Sequence, residues 1–244
     1  MTAQKLLMCL TFFVAVTLVA CSKVEFDKGA PAGTASVNPV VCDPFGNGGG
    51  SNSTQGLVAD LHFLEDDDRA GRGAPDRFQY YIDWAKPQNH LLKYVFLNQL
   101  NVRSRAFTNG FQNQGGAYVK KTDGTKMEEY FALDLQSELS LAGKPAGAYQ
   151  LAVISDDGAI VDITDTNNTI QVINQDGYNS SRLGCAISPV VFNSTEKKPI
   201  RIRYFQSPRT HIALMLLWRP WQGGSSSDPL CGKQGGDFGQ DSNN

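Results

Sequence analysis

Short runs in which apolar and polar residues alternate recur through the middle of this chain, and they restrict it to a β architecture. In the segment Pro199–Gln206, Ile200, Ile202 and Tyr204 alternate with Arg201 and Arg203, the period-two pattern of a strand with one buried and one wet face. The run Ile212–Trp218 is apolar at both parities, which predicts a central strand covered on both faces. In all, the runs at Leu57–Phe63, Tyr94–Leu97, Tyr130–Leu135, Tyr149–Ile154, Ala159–Ile163, Ile170–Ile173, Val190–Phe192, Ile200–Phe205 and His211–Trp218 are separated by Gly, Pro, Asn and Asp clusters. This spacing predicts an all-β fold, an antiparallel sandwich or barrel with short helical turns. Asp134–Leu139 also fits one helical turn, and Ala85–Asn101 has room for a short helix.

The flanks have a different composition. Lys5 precedes an apolar or small stretch, Leu6–Ala20, that ends in Leu18-Val19-Ala20-Cys21-Ser22. It is short for a spanning helix, which needs about 20 apolar residues, and it follows a positive residue near the N-terminus, as an export signal does. Residues 1–20 are therefore left out of the fold. The small residues ahead of Cys21 resemble the bacterial lipobox, which implies that Cys21 becomes the first mature residue and carries lipid. Ser22 in place of Asp then implies the outer membrane of the bacterial envelope. An ordinary cleavage site, or an uncleaved anchor, is the competing reading. Lipid would tie the protein to a membrane without spanning it, since no second run of spanning length follows.

Residues 21–56 are small and polar around Gly46-Asn47-Gly48-Gly49-Gly50-Ser51-Asn52-Ser53, a composition that cannot bury a core and suits a flexible linker. Residues 223–244 form a Gly/Ser/Asp-rich tail, and 57–222 are long enough for one domain. A formal net charge of −2 offers no basic surface for nucleic acid or for anionic headgroups. Of five cysteines, Cys9 leaves with the signal and Cys21 takes lipid. Cys42, Cys185 and Cys231 then sit in an oxidising compartment. Cys42 and Cys231 flank the domain, and their pairing is the economical expectation, with a loop-closure contribution of roughly 4 to 5 kcal/mol. Cys185 would be buried and inert, or free; Cys42 with Cys185 is the competing pairing.

Asp156 and Asp157 are the residues that carry chemistry. They lie between Tyr149–Ile154 and Ala159–Ile163 in Ser155-Asp156-Asp157-Gly158, read as strand, tight turn, strand. Adjacent carboxylates at a sheet rim supply hard oxygens to calcium, which takes six to eight. The same four residues are also ordinary turn chemistry, with Asp bonding its own backbone and Gly accepting a positive φ.

Taken in order, Gly147-Ala148-Tyr149-Gln150 through Gly158, Ile173-Asn174-Gln175-Asp176-Gly177-Tyr178, Pro199–Gln206 and Leu214–Trp218 resemble a PA14 domain over roughly residues 56–222. The resemblance implies an antiparallel β-sandwich or barrel of the PA14 type. It further implies that Asp156 and Asp157, joined by a cis peptide, hold calcium, which binds vicinal sugar hydroxyls. The third ligand in the family's lectins is an asparagine, and Gln206 stands at the matching place here.

Arg209, in the loop after Gln206, is a candidate ligand contact, although such an arginine is commonly solvated. Trp221 is a candidate sugar-stacking residue, whereas Trp218 is in register with Leu214 and Leu216 and reads as core. Glu65-Asp66-Asp67-Asp68 is a solvated acidic loop or a second cation site. His62, His90 and His211 lack zinc-ligand spacing, and neither a nucleophile elbow nor an assignable acid/base pair is present. The expectation is a non-enzymatic, lipid-anchored envelope module for calcium-dependent carbohydrate recognition or adhesion. The alternative is a structural or assembly lipoprotein that binds another envelope protein without metal.

Overall fold

The computed structural model describes residues 57–96, 100–112, 118–121, 123–141, 144–208, 210–221 and 231. Cys21, Cys42 and Arg209 lie outside the described residues. Two antiparallel sheets pack face to face as a β-sandwich. The first contains β1 (Leu57–Phe63), β2 (His90–Phe96), β4 (Phe131–Ser140), β6 (Ala159–Asp165), β7 (Asn168–Gln175) and β10 (Lys197–Gln206), in the order β2-β1-β4-β10-β6-β7. The second contains β3 (Asn101–Ala106), β5 (Gly147–Asp156), β8 (Arg182–Cys185) and β11 (His211–Pro220), in the order β3-β11-β5-β8, with β9 (Val190–Phe192) paired to β5.

The alternation read from sequence sets the faces. Along β10, Ile200, Ile202 and Tyr204 enter the core between the sheets, while Arg201 and Arg203 point outward and pair with Asp134 and Asp162. Leu133 and Leu135 from β4, Leu151 and Val153 from β5, and Leu214 and Leu216 from β11 meet them there. β11 lies inside its sheet between β3 and β5, and its other parity, Ala213 and Met215, is buried with Ile154 and Leu183 on the outer face. Central placement thus follows from apolar residues at both parities.

Several local expectations are revised. Asp134–Leu139 is strand, because Asp134, Gln136 and Glu138 alternate with buried Leu133, Leu135 and Leu139. Ala85–Asn101 holds one turn of 3-10 helix at Pro87–Asn89, followed by β2. Strands β3 and β8 and the short helices α1 (Asp66–Arg69) and α2 (Phe78–Trp84) are additions to the sequence reading. α2 lays Phe78 and Tyr81 against Ala132 and Phe205 on the outer face of the first sheet. The acidic run Glu65–Asp68 is largely α1: buried Asp68 accepts the main-chain N–H of Glu65 at 2.9 Å and the Asn89 amide at 2.6 Å. Lys86 pairs with Asp67 and lies 3.6 Å from Asp68, and Lys121 pairs with Glu65, so protein cations already serve this run.

The disulfide expectation is corrected: Cys231 pairs with Cys185, at a Cα separation of 5.6 Å, and not with Cys42. The reason is register. Cys185 on β8 faces Ala152 on β5, and Ala152 faces Leu217 on β11, so Leu217, Trp218 and Arg219, near the end of β11, line a pocket with Cys185. Flanking positions in sequence gave no access to that adjacency.

Candidate functional site: a cleft at three inter-sheet corners

The chain passes from one sheet to the other three times around a single cleft. β5 belongs to the second sheet and β6 to the first, so Asp156-Asp157-Gly158 is a corner between sheets and not a hairpin turn. Asp176–Ser181 carries the chain from β7 to β8, and Ser207–Thr210 from β10 to β11, each again between sheets. Asp156, Asp157, Tyr178, Asn179, Ser180, Pro208 and Thr210 line a cleft of about 440 Å³. All three corners contribute to it. The peptide between Asp156 and Asp157 is cis.

Gly158 is required at the first corner for space. Its φ is not positive, but a Cβ there would collide with the Phe205 ring and lie 3.0 Å from Gly177 N. The main-chain N–H of Phe205 also donates to Gly158 O at 3.1 Å. The close approach of backbone to aromatic ring, and not a left-handed conformation, therefore selects glycine.

The two neighbouring corners hold the aspartates. Ser181 donates its main-chain N–H to Asp156 Oδ2 at 2.8 Å and its hydroxyl to the same oxygen at 3.2 Å. Ser207 donates its main-chain N–H to Asp157 Oδ2 at 2.8 Å. Both side chains are largely removed from water. Burial pushes Asp156 up to about 6, against the lowering effect of the Ser181 hydrogen bonds. Burial pushes Asp157 up to about 7; the N–H groups of Ser207 and Asn179 oppose this, and the neighbouring Asp156 charge adds to it. Two carboxylates with raised pKa values, side by side in a cleft, form a site that a cation would stabilise by replacing lost hydration.

Tyr204 braces the site from beneath. Its hydroxyl, wholly buried, lies 2.6 Å from Asp156 O and 2.5 Å from Gln206 Oε1, and its one proton is shared between these acceptors. Gln206 is fully buried, and its Nε2 donates to Ser207 O and His211 O, both at 2.9 Å. Its amide is thus engaged at both ends, and Gln206 is absent from the cleft lining. Tyr81 reaches in from α2, 2.8 Å from the Ser207 hydroxyl and 3.1 Å from Gln206 O.

The structure brings Asp156 and Asp157 together in the cleft and separates Trp221 from them. Asp156 pairs with Ala213 at one end of β11 and Tyr149 with Pro220 at the other, a separation of about 24 Å along the strand. Trp218 stacks on Tyr149 at 4.7 Å and packs against the core, as read. Tyr178, Asn179, Ser180 and Thr210 are additions at the cleft. The Asp176-Gly177-Tyr178 motif was visible in sequence, but nothing local placed it opposite residues 156 and 157. Among the described residues no group of three or more His, Cys, Asp or Glu side chains is placed to hold a metal. Ligands beyond the two carboxylates would have to be neutral oxygens.

No protein-family model matches the chain, and no curated protein matches it. Solved structures with which it shares likeness include an anti-sigma factor domain-containing protein, 11% identical over 73% of this chain and 47% of that one, with a TM-score of 0.42. This chain thus spans about half the length of that protein. A PA14 sugar-binding domain from an RTX adhesin is 15% identical over 70% of this chain and 93% of that one, TM-score 0.42. The epithelial adhesin 9 A domain from Candida glabrata, in complex with Galb1-3GlcNAc, is 14% identical over 70% and 84%, TM-score 0.42. What the cleft does is read from its own residues.

Proposed function

We propose that this protein is a calcium-dependent carbohydrate-binding or adhesion module, non-enzymatic and carried on the bacterial envelope by lipid at Cys21. The observation that carries the reading is the pair of buried carboxylates, Asp156 and Asp157, side by side in an open cleft where three corners meet. The donor set suits a hard cation: carboxylate, amide, hydroxyl and main-chain oxygens, without thiol or imidazole. Calcium would supply the open coordination positions that vicinal sugar hydroxyls occupy. Asp156 and Asp157 would hold it, Ser181 and Ser207 would keep their carboxylates in place, and Tyr204 would support the main chain between them.

A thermal melt of the full chain with calcium and with chelator tests this. At a hundredfold excess over Kd, calcium bound only to the folded state adds about 2.7 kcal/mol, a rise of roughly 5 to 10 °C in a domain of this size. Glycan-array binding that disappears with chelator completes the result. No shift on adding calcium would overturn the reading and leave metal-free binding to an envelope protein as the alternative. For the anchor, the test is radiolabelled fatty acid incorporation in a bacterial host, expected for the wild type and lost in Cys21→Ala.

A further inference from the structure

We infer that Asn179, and not Gln206, supplies the amide oxygen of the cation site. The inference rests on the calcium reading above and names the residue that completes it. Asn179 lines the cleft with both aspartates, and its main-chain N–H bonds to Asp157. Its side-chain amide has a determined orientation. Nδ2 donates to Gly177 O at 3.0 Å, and a carbonyl can only accept, so exchanging the two amide atoms would set oxygen against oxygen. Oδ1 therefore points away from Gly177. It is closed to solvent and has no hydrogen-bond partner among the described residues.

An acceptor buried without a donor is destabilising, and a bound ion is one of the partners that satisfies such a group. A divalent cation held by Asp156 and Asp157 is electrically balanced by those two carboxylates, so a neutral amide oxygen is the appropriate next ligand. Gln206 cannot release its oxygen as readily, because Oε1 already shares the buried Tyr204 proton and Nε2 ties two main-chain carbonyls.

The corner carrying Asn179 is pinned at both ends. Asp176 accepts the Phe78 main-chain N–H at 3.0 Å through Oδ1 and the Arg77 guanidinium at 2.7 Å through its carbonyl. Ser181 is fixed on Asp156. Gly177, at φ 145°, takes a conformation that L side chains rarely adopt. Asn179 is thereby presented by a braced segment, as a ligand position needs.

The test is calcium titration by calorimetry on the full chain, comparing wild type, Asn179→Ala and Asn179→Asp, with each melt recorded in chelator. The alanine variant is expected to weaken calcium binding by about tenfold or more while its chelator melt stays close to wild type. The aspartate variant keeps an oxygen there and is expected to bind at least as tightly as wild type. Should the alanine variant melt much lower in chelator, the aspartate variant decides: a loss of about tenfold or more in its affinity overturns the inference. Alanine binding equal to wild type overturns it while the calcium reading stands. Absence of calcium binding by wild type overturns both.

Discussion

The main-chain N–H of Ser207 donates to Asp157 Oδ2 at 2.8 Å, joining two inter-sheet corners whose residues are 50 apart in sequence. Asp157 thus reports on the β10–β11 corner as well as its own. A change at either is expected to reach the cleft.

Replacing Asp157 removes a buried charge and, with it, one of the two carboxylates proposed to hold calcium. In chelator at pH 8, Asp157→Asn is expected to be more stable than wild type by about 1 to 3 kcal/mol, since the raised pKa marks an ionised form that the fold disfavours. The same variant is expected to show no thermal shift with calcium. Differential scanning calorimetry with and without calcium reads both effects.

The metal-free protein should lose stability as pH rises through the titration of the pair. Folded-state values of about 6 for Asp156 and about 7 for Asp157 lie above the ordinary 3.8. The folded state therefore binds extra protons in that interval. The stabilisation is complete below about pH 4 and lost as pH rises through about 6 and 7. Melts of wild type in chelator between pH 4 and 8 should fall relative to the Asp156→Asn/Asp157→Asn double variant. Parallel curves would refute the assignment.

His62 works in the opposite sense. Burial, and then the neighbouring His90, lower it to about 4, against the attraction of Asp134; the two imidazoles stack at 3.9 Å. Its contribution is present above about pH 6.5 and lost as pH falls toward 4. His62→Gln should flatten the acid side of the stability profile without altering the calcium response. An unchanged acid slope would show that His62 is not its source.

Gly158→Ala should disturb the site through packing. The added methyl meets the Phe205 ring and Gly177 N, and overpacking of this kind destabilises by about 1 to 3 kcal/mol. The expected outcome is a lowered melting temperature in chelator and a weakened calcium shift. A variant indistinguishable from wild type would mean that the corner has slack.

The Cys185–Cys231 bond closes a separation of 46 residues, worth roughly 4 kcal/mol in the chain-entropy model. The Cys185→Ala/Cys231→Ala variant should melt lower by about 8 to 16 °C. Peptide mapping without reduction should recover the two cysteines linked.

Sequence alone determined most of the strands and their faces, because alternation reports burial parity, a local quantity: Ile202 inward, Arg201 outward, β11 covered on both sides. It also singled out Asp156 and Asp157, the adjacent carboxylates that line the cleft. Strands β3 and β8 escaped because Asn101–Ala106 and Arg182–Cys185 are short and polar, stabilised by pairing with β11 and β5 rather than by their own pattern. Which sheet a strand joins depends on partners far along the chain, and only the tertiary structure decided it. That choice turned an apparent hairpin at Asp156-Asp157-Gly158 into a corner, sent Cys231 to Cys185, engaged Gln206 with Tyr204, and set Asn179 beside the two carboxylates.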